Sequence, residues 1–290
     1  MKFLPTKSAI QHSRFLFSLF LMPVFVFAVG QAPEVDSIKA MLVFIIWHLF
    51  IYPASNGYNS YFDRDEGSIA LIENPPPTDK SLYVFSLFLD FAGILLAFFV
   101  SVEFVIAVFV YGLLSKLYSH PTTRLKKYPI ISFLVVFIFQ GAFVYWTTYS
   151  AISGQSLIVA CSSTFFLAGL ICSFLIGASY PLTQVYQHEE DLKRGDKTLS
   201  ILLGVNGTFV FAALLFVAAT GLMFIYWSRL DLLGNFWLFV AFIVPVLGVF
   251  LSWIVKLRRD KSQASFKNMS KMTMVSGVAM LVYFLVLLGR

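Results

Sequence analysis

The chain has 290 residues, 59% of them hydrophobic and 12% charged, with a formal net charge of +6. Soluble domains carry about 25% charged residues, so this composition excludes a soluble globular enzyme. It predicts an all-α polytopic membrane protein, a helical bundle with residues 1–290 as a single domain. The surplus of Lys and Arg is not read as a nucleic-acid interface, because in a membrane chain the position of each cation matters more than the sum.

A helix needs ~20 apolar residues to cross the hydrocarbon, and nine apolar runs approach or exceed that length. The first, 15–31, follows Arg14 and precedes Gln31-Ala32-Pro33-Glu34, which has no small-x-small cleavage pattern. It is therefore read as a span and not as a removable leader. The others cover 38–57, 82–101, 103–118, 129–148, 156–180, 199–226, 235–255 and 271–289. The fourth is short and the seventh long, which predicts tilt or an interfacial extension in each. Cys161 and Cys172 share one apolar run without metal-ligand spacing and read as small core residues. The longest linker, Asp63 to Ser81, is too short for a second folded domain.

Counting cations on alternate sides of the nine runs puts 18 Lys and Arg on one face and 3 on the other. The positive-inside rule then predicts a cytoplasmic N-terminus and a C-terminus outside, in an integral protein of the cell inner membrane. Three polar stretches fall on the cytoplasmic face. The first, from Asn56 to Gly67, packs Asp63, Asp65 and Glu66 with two Asn and Arg64 directly after the second run. If the helix continues through it, Asn56, Asn59 and Asp63 share one face. The second, Gln184 to Thr198, places Gln184, Gln187 or His188, and Asp191 at helical spacing, with Gly195 suited to end the turn. Between them lies Tyr118-Ser119-His120-Pro121-Thr122-Thr123-Arg124-Leu125-Lys126-Lys127-Tyr128-Pro129.

Taken singly, an acidic patch is more often a solvated loop than a metal site, and a basic loop is an ordinary membrane anchor. Together they suit one ligand. Oxygen donors on a shared face fit a hard cation such as Mg²⁺, which takes one or two carboxylates and fills its shell with water and phosphate. Two such clusters facing each other would bind two cations, which bridge and neutralise a diphosphate, with Arg124 for bidentate contact and Lys127 as a compact charge. The recurrence of a polar block after the second and sixth runs also suggests a duplicated four-helix unit.

The first block resembles the Asn-Asp-x-x-Asp-Arg-x-x-Asp signature of the UbiA family of intramembrane prenyltransferases, and the second that family's Asp-x-x-x-Asp-x-x-x-Gly signature. The Tyr-x-x-x-x-x-Arg-x-Lys-Lys-Tyr-Pro stretch stands where the family has its basic loop. Asn59, Asp63 and Arg64 fall on the first signature, with Ser60 and Gly67 where Asp is usual. Asp191, Lys193, Gly195 and Thr198 fall on the second, with Gln187 where an Asp is usual; Asp65 or Glu66, and Glu190 or Asp196, are the candidates to compensate.

The resemblance implies Mg²⁺ held by Asn59, Asp63, Asp191 and Glu190, a prenyl diphosphate donor bound through Asn59, Arg64, Lys193 and Tyr118, and Asp63, Asp191, Arg124 and Lys127 as the catalytic group. It implies a tail in an apolar tunnel and a lipophilic acceptor, with an aromatic or quinone-precursor ring as the commonest family case. An allylic diphosphate ionises once its leaving group is neutralised, and a dry membrane site keeps water from the cation. The alternative is a relative that binds or carries an isoprenoid lipid without transferring it. Of the remaining polar residues, Asp90 in the third run is expected either to be functional or to pair with Gln140 or Asn206 inside the bundle. His48 reads as an interhelical hydrogen-bonding residue, His12 as interfacial, and His188 as a bystander or proton acceptor.

Overall fold

The computed structural model describes residues 5–64 and 67–290. Eight helices in it are long and apolar enough to cross a membrane, and a bent pair near the start brings the number to nine among the described residues. The bent pair corresponds to the first predicted span. It consists of α1 (Lys7–Ser13), a 3-10 turn (Phe15–Phe20) and α2 (Met22–Gln31), with a 41° bend. Two local causes break it. Arg14 adopts a left-handed conformation (φ 48°), and Pro23 in the first turn of α2 has no N–H to continue the preceding ladder.

Helix α3 (Ser37–Asp63) starts on Asp36, whose carboxylate accepts from the Ile38 and Lys39 N–H groups at 3.0 and 3.1 Å. It runs six residues past the apolar stretch read from the sequence. Pro53 lies within it, and the π turn Ile46–Ile51 immediately before absorbs the mismatch that a proline ring creates with the preceding carbonyl. Next come α4 (Lys80–Ala97), capped by Asp79, and α5 (Val102–Ser119), capped by Ser101. Helix α6 (Pro129–Ser153) contains a second π turn, Phe137–Ala142. There Gly141 lets the backbone meet Ser173, since a Cβ would lie 2.4 Å from the Ser173 Cα, and the Ala142 N–H donates to Ser173 Oγ at 2.9 Å.

Helix α7 (Ser163–Ser179) continues as a 3-10 turn (Tyr180–Gln184) and leads to the short α8 (His188–Lys193). The sixth apolar run is therefore helical only from Ser163, its first residues forming a loop and a single turn, Leu157–Ala160. Helix α9 (Leu199–Arg229) is the long seventh span, and its excess is taken up by a kink at Gly204, φ 66°. Thr208 Oγ1 donates across the kink to the Gly204 carbonyl at 2.8 Å. The bundle closes with α10 (Leu233–Arg259) and α11 (Phe266–Leu288).

Large apolar side chains such as Phe88, Phe99, Val210 and Trp237 face outwards, as lipid-facing positions do. Inside, aromatic rings fill the bundle. Phe27 packs against Tyr145, Tyr226, Trp227 and Phe284, and Trp47 stacks on Tyr52 with Tyr111 edge-on. Asp90 pairs with Lys116 of α5, and neither Gln140 nor Asn206 fills that role. The Lys116 ammonium also lies 5.0 Å from the centre of the Tyr58 ring.

Breaking one side of so enclosed a pair leaves an uncompensated charge. Asp90→Leu should lower the stability of the detergent-purified protein by about 3 kcal/mol. Adding Lys116→Met should restore more than half of the loss in the same unfolding measurement; losses that simply add would show the pair to be uncoupled.

Candidate active site at the polar end of the bundle

The continuation of α3 beyond its apolar stretch is what builds this end. Its last turns bring Asn56, Asn59 and Asp63 onto one face, and all three line a cavity of about 560 Å³. Gly57 permits the approach of α4, because a Cβ there would lie 2.5 Å from Ser86 Oγ. The helix stops at Arg64, whose left-handed backbone (φ 49°) turns its N–H back to the Ser60 carbonyl at 3.0 Å. Across the cavity, the 3-10 turn after α7 and the start of α8 present Gln184, Gln187 and Asp191 to the same space. Gly195, at φ 77°, then reverses the chain, and the Asp196 N–H closes on the Asp191 carbonyl at 2.9 Å.

The α5–α6 loop inserts between these two walls. Arg124, itself left-handed at φ 38°, precedes the 3-10 turn Leu125–Lys127. Its Nε and Nη2 both donate to the Asp196 carboxylate at 2.7 Å, a fork-to-fork pair, and Nη2 lies 3.8 Å from Asp63. Lys126 Nζ pairs with Asp63 and lies 3.7 Å from Asp196. Two acids and two bases thus form a closed square in which Asp63 is 8% exposed, Lys126 9% and Asp196 2%. The bond to Asp196 holds the Arg124 guanidinium above its ordinary pKa. Asp191 stands outside the square. Burial is the main cause that pushes its carboxyl up to about 7; Asp196 and Asp63 reinforce it, against the pull of Lys126 and Arg194.

The residues singled out from sequence separate into two groups. Asn59, Asp63, Asp191 and Tyr118 border the cavity, and Arg124 is tied to its wall through Asp196. Lys127 does not border it, because its ammonium sits 5.0 Å from the centre of the Tyr128 ring; Lys126 is the cavity-lining lysine. Arg64 and Lys193 are exposed and do not line the cavity, whereas Arg194 does. Glu190 pairs with Arg194 and accepts from the Gly67 N–H at 3.4 Å, so it bridges the two polar blocks at the rim. Asp65 and Glu66 lie outside the described residues.

The atypical motif positions have new occupations. Gln187 donates to the Ser68 carbonyl at 3.3 Å, and Ser60 is buried against the helix packing. Asn59 Oδ1 accepts from Ser119 Oγ at 2.7 Å, and the Tyr118 and Tyr180 hydroxyls share a hydrogen bond of 2.5 Å. His188 is held to Ser200 Oγ at 2.7 Å and is absent from the cavity lining, and burial lowers its pKa.

Among the described residues no three His, Cys, Asp or Glu side chains converge as a preformed metal cage. Magnesium does not require one, since it keeps several waters and takes one or two carboxylates. The donor set fits that mode. Asn59 and Asp63 on one wall, and Gln187 and Asp191 on the other, are oxygen-bearing residues that line the same space. The cavity continues away from this end between Phe139, Cys172, Ile176, Phe216, Ile243 and Phe284. Along α11 its lining runs from Met272 to Phe284, a length of about 18 Å at the helical rise of 1.5 Å per residue. A charged mouth therefore opens into an apolar interior.

Solved structures of the same architecture exist. One, of a UbiA homologue from Archaeoglobus fulgidus bound to DMAPP and Mg²⁺, is 15% identical, with 98% of this chain and 99% of that one covered and a TM-score of 0.72. The same homologue bound to GPP and Mg²⁺ is 15% identical, covering 98% and 100% with a TM-score of 0.66. A structure reported for digeranylgeranylglyceryl phosphate synthase in membranes is 20% identical, with 97% of each chain covered and a TM-score of 0.63. At these identities the likeness establishes the fold. No curated protein matches the chain by sequence. The model of the UbiA prenyltransferase family matches residues 20–277, nearly the whole chain, and the protein belongs to that family.

Proposed function

We propose that this protein transfers a prenyl group from an isoprenoid diphosphate to a lipophilic acceptor inside the membrane, with Mg²⁺. The observation that carries the reading is the single cavity, charged at its mouth and apolar through its length, bordered by Asp63 and Asp191 together. The solved homologue with DMAPP or GPP and Mg²⁺ supports it. The preferred acceptor is an aromatic or quinone-precursor ring. The strong division of Lys and Arg supports an integral protein of the inner membrane with this mouth facing the cytoplasm.

In this reading Asn59, Asp63, Gln187 and Asp191 would hold the metal, which would supply positive charge against the diphosphate. Arg124 and Lys126 replace Arg124 and Lys127 as the cationic pair beside the leaving group. Their charge counts most as the C–O bond breaks, because negative charge on the leaving oxygens grows in the transition state. Phe139, Phe216 and Tyr111 line the interior and offer π faces to an allylic cation. Exclusion of water there leaves the acceptor as the available nucleophile.

Labelled farnesyl or geranylgeranyl diphosphate, incubated with the detergent-solubilised protein and Mg²⁺, should release diphosphate in the presence of an acceptor ring. Asp63→Asn and Asp191→Asn should each slow release by about 100-fold, the scale on which loss of one preorganised electrostatic contact acts. If wild type and both variants behave alike with several acceptors, the transferase reading fails and a lipid-binding role takes its place. Chain length should respond to the interior. Cys172→Phe fills space at a buried lining position and should shift kcat/KM towards the geranyl over the geranylgeranyl donor by about tenfold. An unchanged preference would place the tail elsewhere.

A further inference from the structure

The square of Asp63, Lys126, Asp196 and Arg124 presents a difficulty for any metal that is to use Asp63. That carboxylate already has a resident cation. The two bases are not held equally. Arg124 is fixed by two 2.7 Å bonds to the most buried acid of the set, and its planar fork has no slack. Lys126 keeps its closest contact to Asp63, reaches Asp196 only at 3.7 Å, and borders the cavity on a flexible four-carbon stem. It is the base that is able to move.

Among the described residues the site also contains fewer acids than a pair of metal clusters would supply. Ser60, Gly67 and Gln187 stand at three positions where the resembled signatures carry Asp. With few carboxylates in place, one lysine is enough to balance Asp63 while the site is free of ligand. Three acids, Asp63, Asp191 and Asp196, face the same polar end, and without that lysine their mutual repulsion would be less well offset beside Asp63, from which Arg124 Nη2 lies 3.8 Å.

We infer that Lys126 is an exchangeable counter-ion: it occupies Asp63 in the ligand-free site and passes to the diphosphate when a divalent cation takes Asp63. The inference rests on the proposed donor and metal, and it adds a thermodynamic signature to them. Metal alone must displace Lys126 towards Asp196, whose carboxylate Arg124 already holds. Diphosphate alone must draw Lys126 away and deprive Asp63 of that lysine's charge. Bound together, each ligand removes the cost of the other, so the two are mutually cooperative by linkage.

The test measures binding without turnover. Mn²⁺ uptake is followed by electron paramagnetic resonance, and uptake of geranyl thiodiphosphate, a slowly ionising donor, by calorimetry with and without Mn²⁺. In the wild type each ligand should tighten the other by about tenfold, within the usual range of coupling between sites. Lys126→Met should move the two affinities in opposite directions. Mn²⁺ alone should bind about tenfold more tightly, because Asp63 is freed, and the thiodiphosphate at saturating Mn²⁺ about tenfold more weakly, because a cation is lost. Lys126→Gln, which keeps a polar group in the buried site, must give the same opposed pair, so a folding defect in one variant does not decide the outcome. If both affinities fall together, or Mn²⁺ binding is unchanged, Lys126 is a fixed part of the wall and the exchange is wrong. A wild type that takes up no thiodiphosphate at any Mn²⁺ concentration overturns the proposed donor, and the exchange with it.

Discussion

The pairing of Asp63 with Lys126, and of Asp196 with Arg124, is the contact on which the organisation of the polar end depends. Its members come from three separate places in the chain: the end of α3, the α5–α6 loop and the turn after α8. No apolar contact could align those segments as specifically, since a non-directional attraction fixes area and not register. A closed set of two acids and two bases fixes both. Burying four charges is costly when any one lacks a partner, so the three segments are compelled to meet with every member present.

A second consequence is the division of the cavity. The charged residues gather at one end, and most of the remaining lining comes from aromatic and aliphatic side chains, with Gln140, Thr273 and Ser276 among them. A ligand with a polyanionic head and a hydrocarbon tail matches that polarity from end to end. A purely polar solute would leave the interior unfilled, and a purely apolar lipid would leave the mouth unsatisfied. Under the proposed function, that polarity would favour amphiphiles before any individual contact is considered.

Much of this was readable from the chain, for identifiable reasons. Spans are written in uninterrupted apolar runs, and the two acid-bearing blocks stand out because ionisable residues beside such runs are rare. The end of α3 was harder to read. Its apolar pattern stops near residue 57, but helical hydrogen bonding continues to Asp63, because the later side chains face a polar cavity and not lipid. Lys126 and Lys127 are adjacent and chemically equal in sequence. The folded loop separates them: after the left-handed Arg124, the 3-10 turn puts Lys126 on the cavity and Lys127 over the Tyr128 ring. Asp90 found its partner in Lys116, a residue that reads as an interfacial cation until the direction of its long stem is known. Of the two causes of the early bend, Pro23 is visible in the sequence, whereas the left-handed backbone at Arg14 is not.

That break places α1 against the loop joining α3 to α4. Ser8 Oγ donates to the Pro77 carbonyl at 2.7 Å, His12 to the Pro76 carbonyl at 2.7 Å, and Thr6 Oγ1 to Asp79 at 2.9 Å. The amino-terminal helix thus works as a clasp on the strip of chain that carries Ser68 towards Gln187. Trimming the first dozen residues, or fusing a bulky affinity handle to them, would release that strip and slacken the roof of the site, although not one of the removed side chains is a ligand. A carboxy-terminal handle, beyond Leu288, leaves the clasp shut.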